Sequence, residues 1–134
     1  MYFDELDLND NILDALDDMR FDECTTVQEK CIPEILAGHD LLGIAQTGTG
    51  KTAAYLLPIL SMLDDGGYPA DAINCIIMSP TRELAQQIDQ AMQGFGYYLN
   101  NVSSVAVYGG NDGNRYSQEM RSLRLGADVI IATP

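Results

Sequence analysis

Leu8, Ile12, Leu13, Leu16 and Met19 return at intervals of three and four, which predicts a helix with one apolar side, and Asn9 or Asp10 can cap its start. A second helix is expected from near Thr26, because Thr26 and Glu29 have capping-box spacing. Val27, Cys31 and Ile35 would face inward, Pro33 would break or tighten the helix, and Gly38 would end it. The apolar run Leu41–Ala45 reads as a first strand. A helix follows from about Ala53 to Leu63, with Pro58 as a bend, and Asp64–Pro69 is a loop.

The alternation then repeats in kind. Cys75–Met78 reads as a buried strand, and a helix from about Thr81 carries Leu84, Ile88, Ala91 or Met92, and Phe95 on one side. Val105–Tyr108 is a third strand, Gly109-Gly110 a turn, and a helix carries Met120 and Leu123 before the strand Val129–Ala132. Continuous β-rich runs alternating with helices predict an α/β fold with a parallel, doubly wound sheet and helices on both faces. A parallel sheet that stops on a strand, at Thr133-Pro134, reads as incomplete.

The stretch Ala45-Gln46-Thr47-Gly48-Thr49-Gly50-Lys51-Thr52 lies between the predicted first strand and the helix after it. That context makes a phosphate-binding loop credible, although Ala45 stands where the general pattern has its first glycine. Glycines let successive backbone N–H groups point into one concavity, and the helix start adds unpaired N–H groups and the positive end of its dipole. Lys51 can reach the β- and γ-phosphates, and the Thr52 hydroxyl can ligate Mg²⁺ carried by the nucleotide. The plain alternative is a Gly/Thr-rich surface loop before an ordinary helix.

Composition narrows the partners. The 134 residues are one domain's worth of chain, and the 46% apolar and 20% charged fractions are those of a globular protein. The net charge of −13 argues against a broad electrostatic footprint for nucleic acid, so any RNA contact is expected to be local or aided by chain beyond these residues. No apolar run approaches the ~20 residues of a membrane span, and the acidic start Met1–Glu5 is unlike a signal peptide. The cysteines Cys24, Cys31 and Cys75 lack metal-type spacing and read as reduced thiols of a cytoplasmic protein.

Several motifs, in order, carry a family resemblance. Phe21-Asp22-Glu23-Cys24-Thr25-Thr26-Val27-Gln28 resembles a Q motif, Phe-x-x-Pro-Thr-Pro-Ile-Gln, with Cys24 and Thr26 in place of its prolines. Ala45–Thr52 matches motif I, Pro80–Ala85 motif Ia, Gly109-Gly110 the GG element, and Thr133-Pro134 the first half of motif Ib. Taken together, the chain resembles the front part of the first RecA-like domain of a DEAD-box RNA helicase. The resemblance divides it into a Q-motif region over 1–38 and a phosphate-loop α/β core over 39–134, with no second domain.

The resemblance implies ATP and Mg²⁺ as cofactors and RNA as a partner. It implies that Phe21 stacks on adenine and that Gln28 reads its edge, as a side-chain amide can by donating and accepting at once. It gives Gln46, Thr47, Gly48, Thr49, Gly50, Lys51 and Thr52 to the triphosphate, with Lys51 and Thr52 also catalytic. Pro80, Thr81, Arg82, Gly109, Gly110 and Thr133 would contact RNA. The plain alternatives are an exposed Gln28, a core Phe21, a Thr81 helix cap and a glycine turn.

The Asp-Glu-Ala-Asp motif does not occur in the sequence. This chain alone is therefore expected to bind nucleotide but hydrolyse it poorly, and to bind RNA weakly. By resemblance, a later strand lies beside the one feeding the loop. Leu41–Ala45 should then have an open side, and the chain is expected to be marginally stable or to self-associate. Two rivals remain: a nucleotide-binding module without catalysis, and a phosphate-loop ATPase outside the RNA helicases.

Overall fold

The computed structural model describes residues 1–46, 48, 50–69, 72–100, 102–107 and 127–134. Among the described residues are four α-helices, α1 (Asp10–Asp18), α2 (Thr26–Leu36), α3 (Lys51–Asp65) and α4 (Arg82–Phe95), and three strands, β1 (Cys75–Met78), β2 (Ser104–Val107) and β3 (Val129–Ala132). The chain forms two compact units, the first of 1–66 with 91–100 and the second of 67–90 with 101–134.

In the first unit, α1 starts on Asn9, whose side chain accepts from the Ile12 N–H at 3.0 Å. The Asn9 amide also donates to Asp64 at 2.9 Å, which ties the start of α1 to the end of α3. Helix α1 ends with the Phe21 N–H on the Leu16 carbonyl and the Arg20 N–H on that of Asp17. This is a Schellman ending with Arg20, at φ 60°, in the left-handed position glycine usually takes. Helix α2 ends the same way on Gly38, at φ +82°. Ile12, Leu16, Ile32, Leu56, Leu57 and Leu60 are fully buried and form the core of this unit.

Three expectations in this unit need correction. Helix α2 is capped by Thr25, not Thr26, and Gln28, not Glu29, closes the capping box. Pro33 does not break α2, which continues to Leu36, and the buried side is Gln28, Cys31 and Ile32, with Val27 and Ile35 half-buried. Leu41–Ala45 is not a strand. A strand needs a neighbour for its backbone groups, and among the described residues no backbone–backbone hydrogen bond reaches this segment. Leu42 and Ile44 are each 87% exposed.

In the second unit the strands form a parallel sheet in the order β1-β3-β2. Cys75 and Ser104 both stand opposite Val129. Asp128 fastens the strand starts. Its carbonyl accepts from the Asn74 and Cys75 N–H groups, and its carboxylate accepts from the Ser103 N–H. Central β3 buries Val129 and Ile131 completely. The expectation of a buried β1 holds only for Ile77: successive strand residues face opposite sides of the sheet, and the side carrying Ile76 and Met78 is exposed. The Gly109-Gly110 turn and the helix of Met120 and Leu123 lie outside the described residues.

Candidate nucleotide-binding site

The site is built on the start of α3. Gly48 and Gly50 take left-handed φ values of +84° and +81°, which curl the backbone into the helix. Gly50 is the N-cap and has no side chain to offer, so the first-turn N–H groups of α3 are left without a side-chain cap. The first turn of α3 also holds no acidic residue, whereas α1, α2 and α4 open with Asp10, Glu29 and Glu83. In a chain of net charge −13, one described α-helix start thus presents its donors and dipole without a carboxylate in its first turn. That is the arrangement an anion needs.

Lys51 is the first residue of α3, and its exposed ammonium donates to the Ala45 carbonyl at 2.7 Å. Thr52, half-buried, follows it. Gln46 is engaged by another group. Thr47 and Thr49 lie outside the described residues.

Gln28 is neither exposed nor free: it is 6% exposed, and its amide carries two bonds within the protein. Its Oε1 accepts from the Thr25 N–H at 2.9 Å, and its Nε2 donates to the Gly50 carbonyl at 3.2 Å. The start of α2 is thereby fastened to the phosphate loop. Phe21 is 44% exposed, and its ring sits 6.1 Å from that of Phe95, tilted. A hollow of about 420 Å³ between α2, α3 and Leu41–Gly43 is lined by Val27, Cys31, Ile35, Tyr55 and Ile59, with His39, Asp40 and Lys51 also in its wall.

The proposed RNA residues fall in the second unit. Pro80, Thr81 and Arg82 follow β1, and Thr133 follows β3, so they leave neighbouring parallel strands at the same, carboxyl, end of the sheet. The Ser79 N–H donates to the Ala132 carbonyl at 2.9 Å and the Thr133 N–H to that of Val107 at 3.3 Å. Thr81 caps α4, its Oγ1 accepting from the Leu84 N–H at 3.2 Å. Arg82 is exposed, and Gly109 and Gly110 lie outside the described residues. The three thiols are free, and burial pushes those of Cys24 and Cys75 above their ordinary values.

Sequence reasoning missed the Gln28–Gly50 bond and the role of the Ala45 carbonyl. For the first, the sequence marks only the capping half, since Thr25-x-x-Gln28 is as good a capping box as Thr26-x-x-Glu29; nothing in it marks Gly50 as a partner. No sequence signal marks the second, since any residue supplies a carbonyl.

A parallel α/β sheet and a Gly-rich loop opening a helix define a phosphate-loop nucleotide-binding protein. The DEAD/DEAH box helicase model matches residues 25–134, and the chain belongs to that family. It is 42% identical over 132 residues to the ATP-dependent RNA helicase DeaD of Escherichia coli K12, covering 98% of this chain and 20% of that one. It is 37% identical over 132 residues to the protein of the same name in Mycobacterium tuberculosis H37Rv, covering 98% and 22%. The structure of a DEAD box protein from Methanococcus jannaschii superposes with a TM-score of 0.85 at 32% identity, covering 100% of this chain and 35% of that one. A hypothetical ATP-dependent RNA helicase from Sulfolobus tokodaii gives 0.78 at 35%, covering 95% and 34%. The fold is thus α/β and RecA-like, and the chain spans about a fifth of the length of the curated relatives it matches.

Proposed function

We propose that this chain is the ATP-gripping part of an ATP-dependent RNA helicase that unwinds RNA duplexes locally. The observation that carries the reading is the start of α3: left-handed glycines, no side-chain cap, no first-turn acid, and Lys51 on the spot. The α3 N–H groups would hold the phosphates, and the Lys51 ammonium would turn from Ala45 to them. The Thr52 hydroxyl would help hold Mg²⁺, which supplies charge neutralisation on the phosphate oxygens when bound. Phe21 and Gln28 would meet the adenine. Arg82, the Thr81 end of α4, Pro80 and Thr133 would hold RNA phosphates at one end of the sheet, with Gly109 and Gly110 completing that contact.

Phosphoryl transfer depends on positioning and charge stabilisation, and this sequence has no Asp-Glu-Ala-Asp motif to place water and metal. We therefore propose binding without efficient turnover for the chain alone, with weak, salt-sensitive RNA contact. The rival of a nucleotide-binding module without catalysis describes that same behaviour. The exposed Leu42 and Ile44, and the edge of β1 that no strand among the described residues pairs, favour self-association. Its free thiols suit the cytoplasm. The deciding experiment is an RNA-stimulated ATPase assay on the full-length protein containing this sequence. Stimulation by RNA supports the helicase reading, and ATP hydrolysis indifferent to RNA moves it to another phosphate-loop ATPase.

A further inference from the structure

We propose that residues 1–3 are a positioning segment for the adenine contact, stiffening the loop 21–25 where the Q motif has a proline and this chain has Cys24. The inference rests on the reading above that Phe21 and Gln28 meet the base. Those two residues stand at either end of a stretch made of that loop and the first turn of α2, so the loop sets their separation. A proline would fix φ at its own position and hold the residue before it extended. This chain has no proline there, and a free loop would give up conformational freedom each time it closed on a base.

The amino-terminal residues supply the constraint instead. Tyr2 and Glu23 pair in an isolated antiparallel bridge, which holds Glu23 extended as a following proline would. On one side of the bridge the Phe3 N–H donates to the Asp22 carbonyl at 3.0 Å. On the other the Cys24 N–H donates to the Met1 carbonyl at 2.9 Å. Proline has no N–H, so this second bond is open only to a chain that lacks it. The two devices also exclude each other in space, because a proline ring at position 24 would stand where the Met1 carbonyl meets the nitrogen. Phe3 anchors the segment with a side chain that is 4% exposed. The remaining ends of the loop are held from within: the Phe21 N–H donates to the Leu16 carbonyl and the Thr25 N–H to Gln28 Oε1. Thr26, where the motif has its second proline, is the first residue of α2, and the Thr25 cap already fixes that start. Residues 1–3 therefore replace the constraint that the change to Cys24 removes.

A loss and its rescue test the segment together. Deleting Tyr2 leaves Met directly before Phe3 and removes the carbonyl that the Cys24 N–H uses. Adding Cys24→Pro to that deletion puts the ring into the vacated place. MgATP and magnesium tripolyphosphate, which has no base, are titrated into the wild type and both variants, with thermal melting to verify folding. The deletion should weaken MgATP by about fivefold, the effect of one hydrogen bond, and leave tripolyphosphate unchanged; the added Cys24→Pro should bring MgATP back to within about twofold of the wild type. An unchanged ATP affinity in the deletion, equal weakening of both probes, or a loss that Cys24→Pro does not restore would overturn the proposal and leave nucleotide binding intact. A wild type that binds neither probe would overturn the nucleotide reading itself, and one that binds both equally would overturn the adenine contact. A second readout needs no variant: the Cys24 backbone N–H of the wild type should exchange slowly, and MgATP but not tripolyphosphate should slow it further. A Cys24 N–H that exchanges fast, or that tripolyphosphate slows as much as ATP, would overturn the proposal even where both variants unfold.

Discussion

The Lys51 ammonium donates to the Ala45 carbonyl at 2.7 Å, so the lysine that should grip phosphate is turned back on its own loop. Phosphate would replace a neutral acceptor with an anionic one, and charge-assisted bonds are the stronger kind. Lys51→Ala should weaken MgATP binding by ~10- to 100-fold, the worth of a bond to a charged group. The melting temperature without nucleotide should barely move, because the bond is exposed. Calorimetric titration and a thermal melt check both halves; unchanged ATP affinity would remove Lys51 from the site.

Gly50 joins two requirements. At φ +81° an L side chain costs ~1–2 kcal/mol, and the added Cβ would stand 2.3 Å from Gln28 Nε2. Gly50→Ala should therefore lower both stability and ATP affinity, whereas Gly66→Ala, also at positive φ but with open space around it, should lower stability alone. Melting and titration of the two variants side by side test this, and equal ATP affinities would contradict it.

The motifs were more legible in the sequence than the elements that carry them. Gly48, Gly50 and Lys51 follow a spacing rule that geometry enforces, and α3 begins where that rule places it. Leu41–Ala45 failed as a strand because an apolar β-rich run records only that a neighbour would suit it; pairing depends on what lies alongside. In β1, Ile76 and Met78 look like core residues in sequence but point to the exposed side of the strand, opposite buried Ile77; which side is covered also depends on what packs there. Thr26-Glu29 misled because Thr25-Gln28 overlaps it by one position, and the buried Gln28 bond to Gly50 selects between them.

Arg20 ends α1 at φ 60°, a position where a residue with a Cβ is disfavoured by ~1–2 kcal/mol and glycine is not. Glycine returns part of that through the greater freedom of its unfolded chain, ~0.5–1 kcal/mol. Arg20→Gly should raise stability by ~0.5 kcal/mol on that balance. Denaturant unfolding measures it, and a destabilised variant would mean that the Arg20 side chain holds something its backbone does not.

Tyr98 donates its hydroxyl to Asp18. That hydrogen bond, followed by desolvation and the charges of Asp18, Tyr97 and Asp14, raises its ionisation above the ordinary 10.0. A raised value in the folded state means that the bond's contribution is fully present below the ordinary tyrosine value. It is lost as pH rises through the folded one. Tyr98 should titrate above the ordinary tyrosine value when its ring carbons are followed by NMR, and Tyr98→Phe should flatten the alkaline fall in stability. An ordinary titration of Tyr98 would show that the bond does not hold in solution.

The most direct test of the account is a calorimetric titration of this chain with MgATP and, separately, MgGTP. Both should bind saturably and one-to-one, with ATP favoured by roughly tenfold through a base-edge contact worth ~1–3 kcal/mol. No heat from either nucleotide, at concentrations where the protein melts cooperatively, would contradict it.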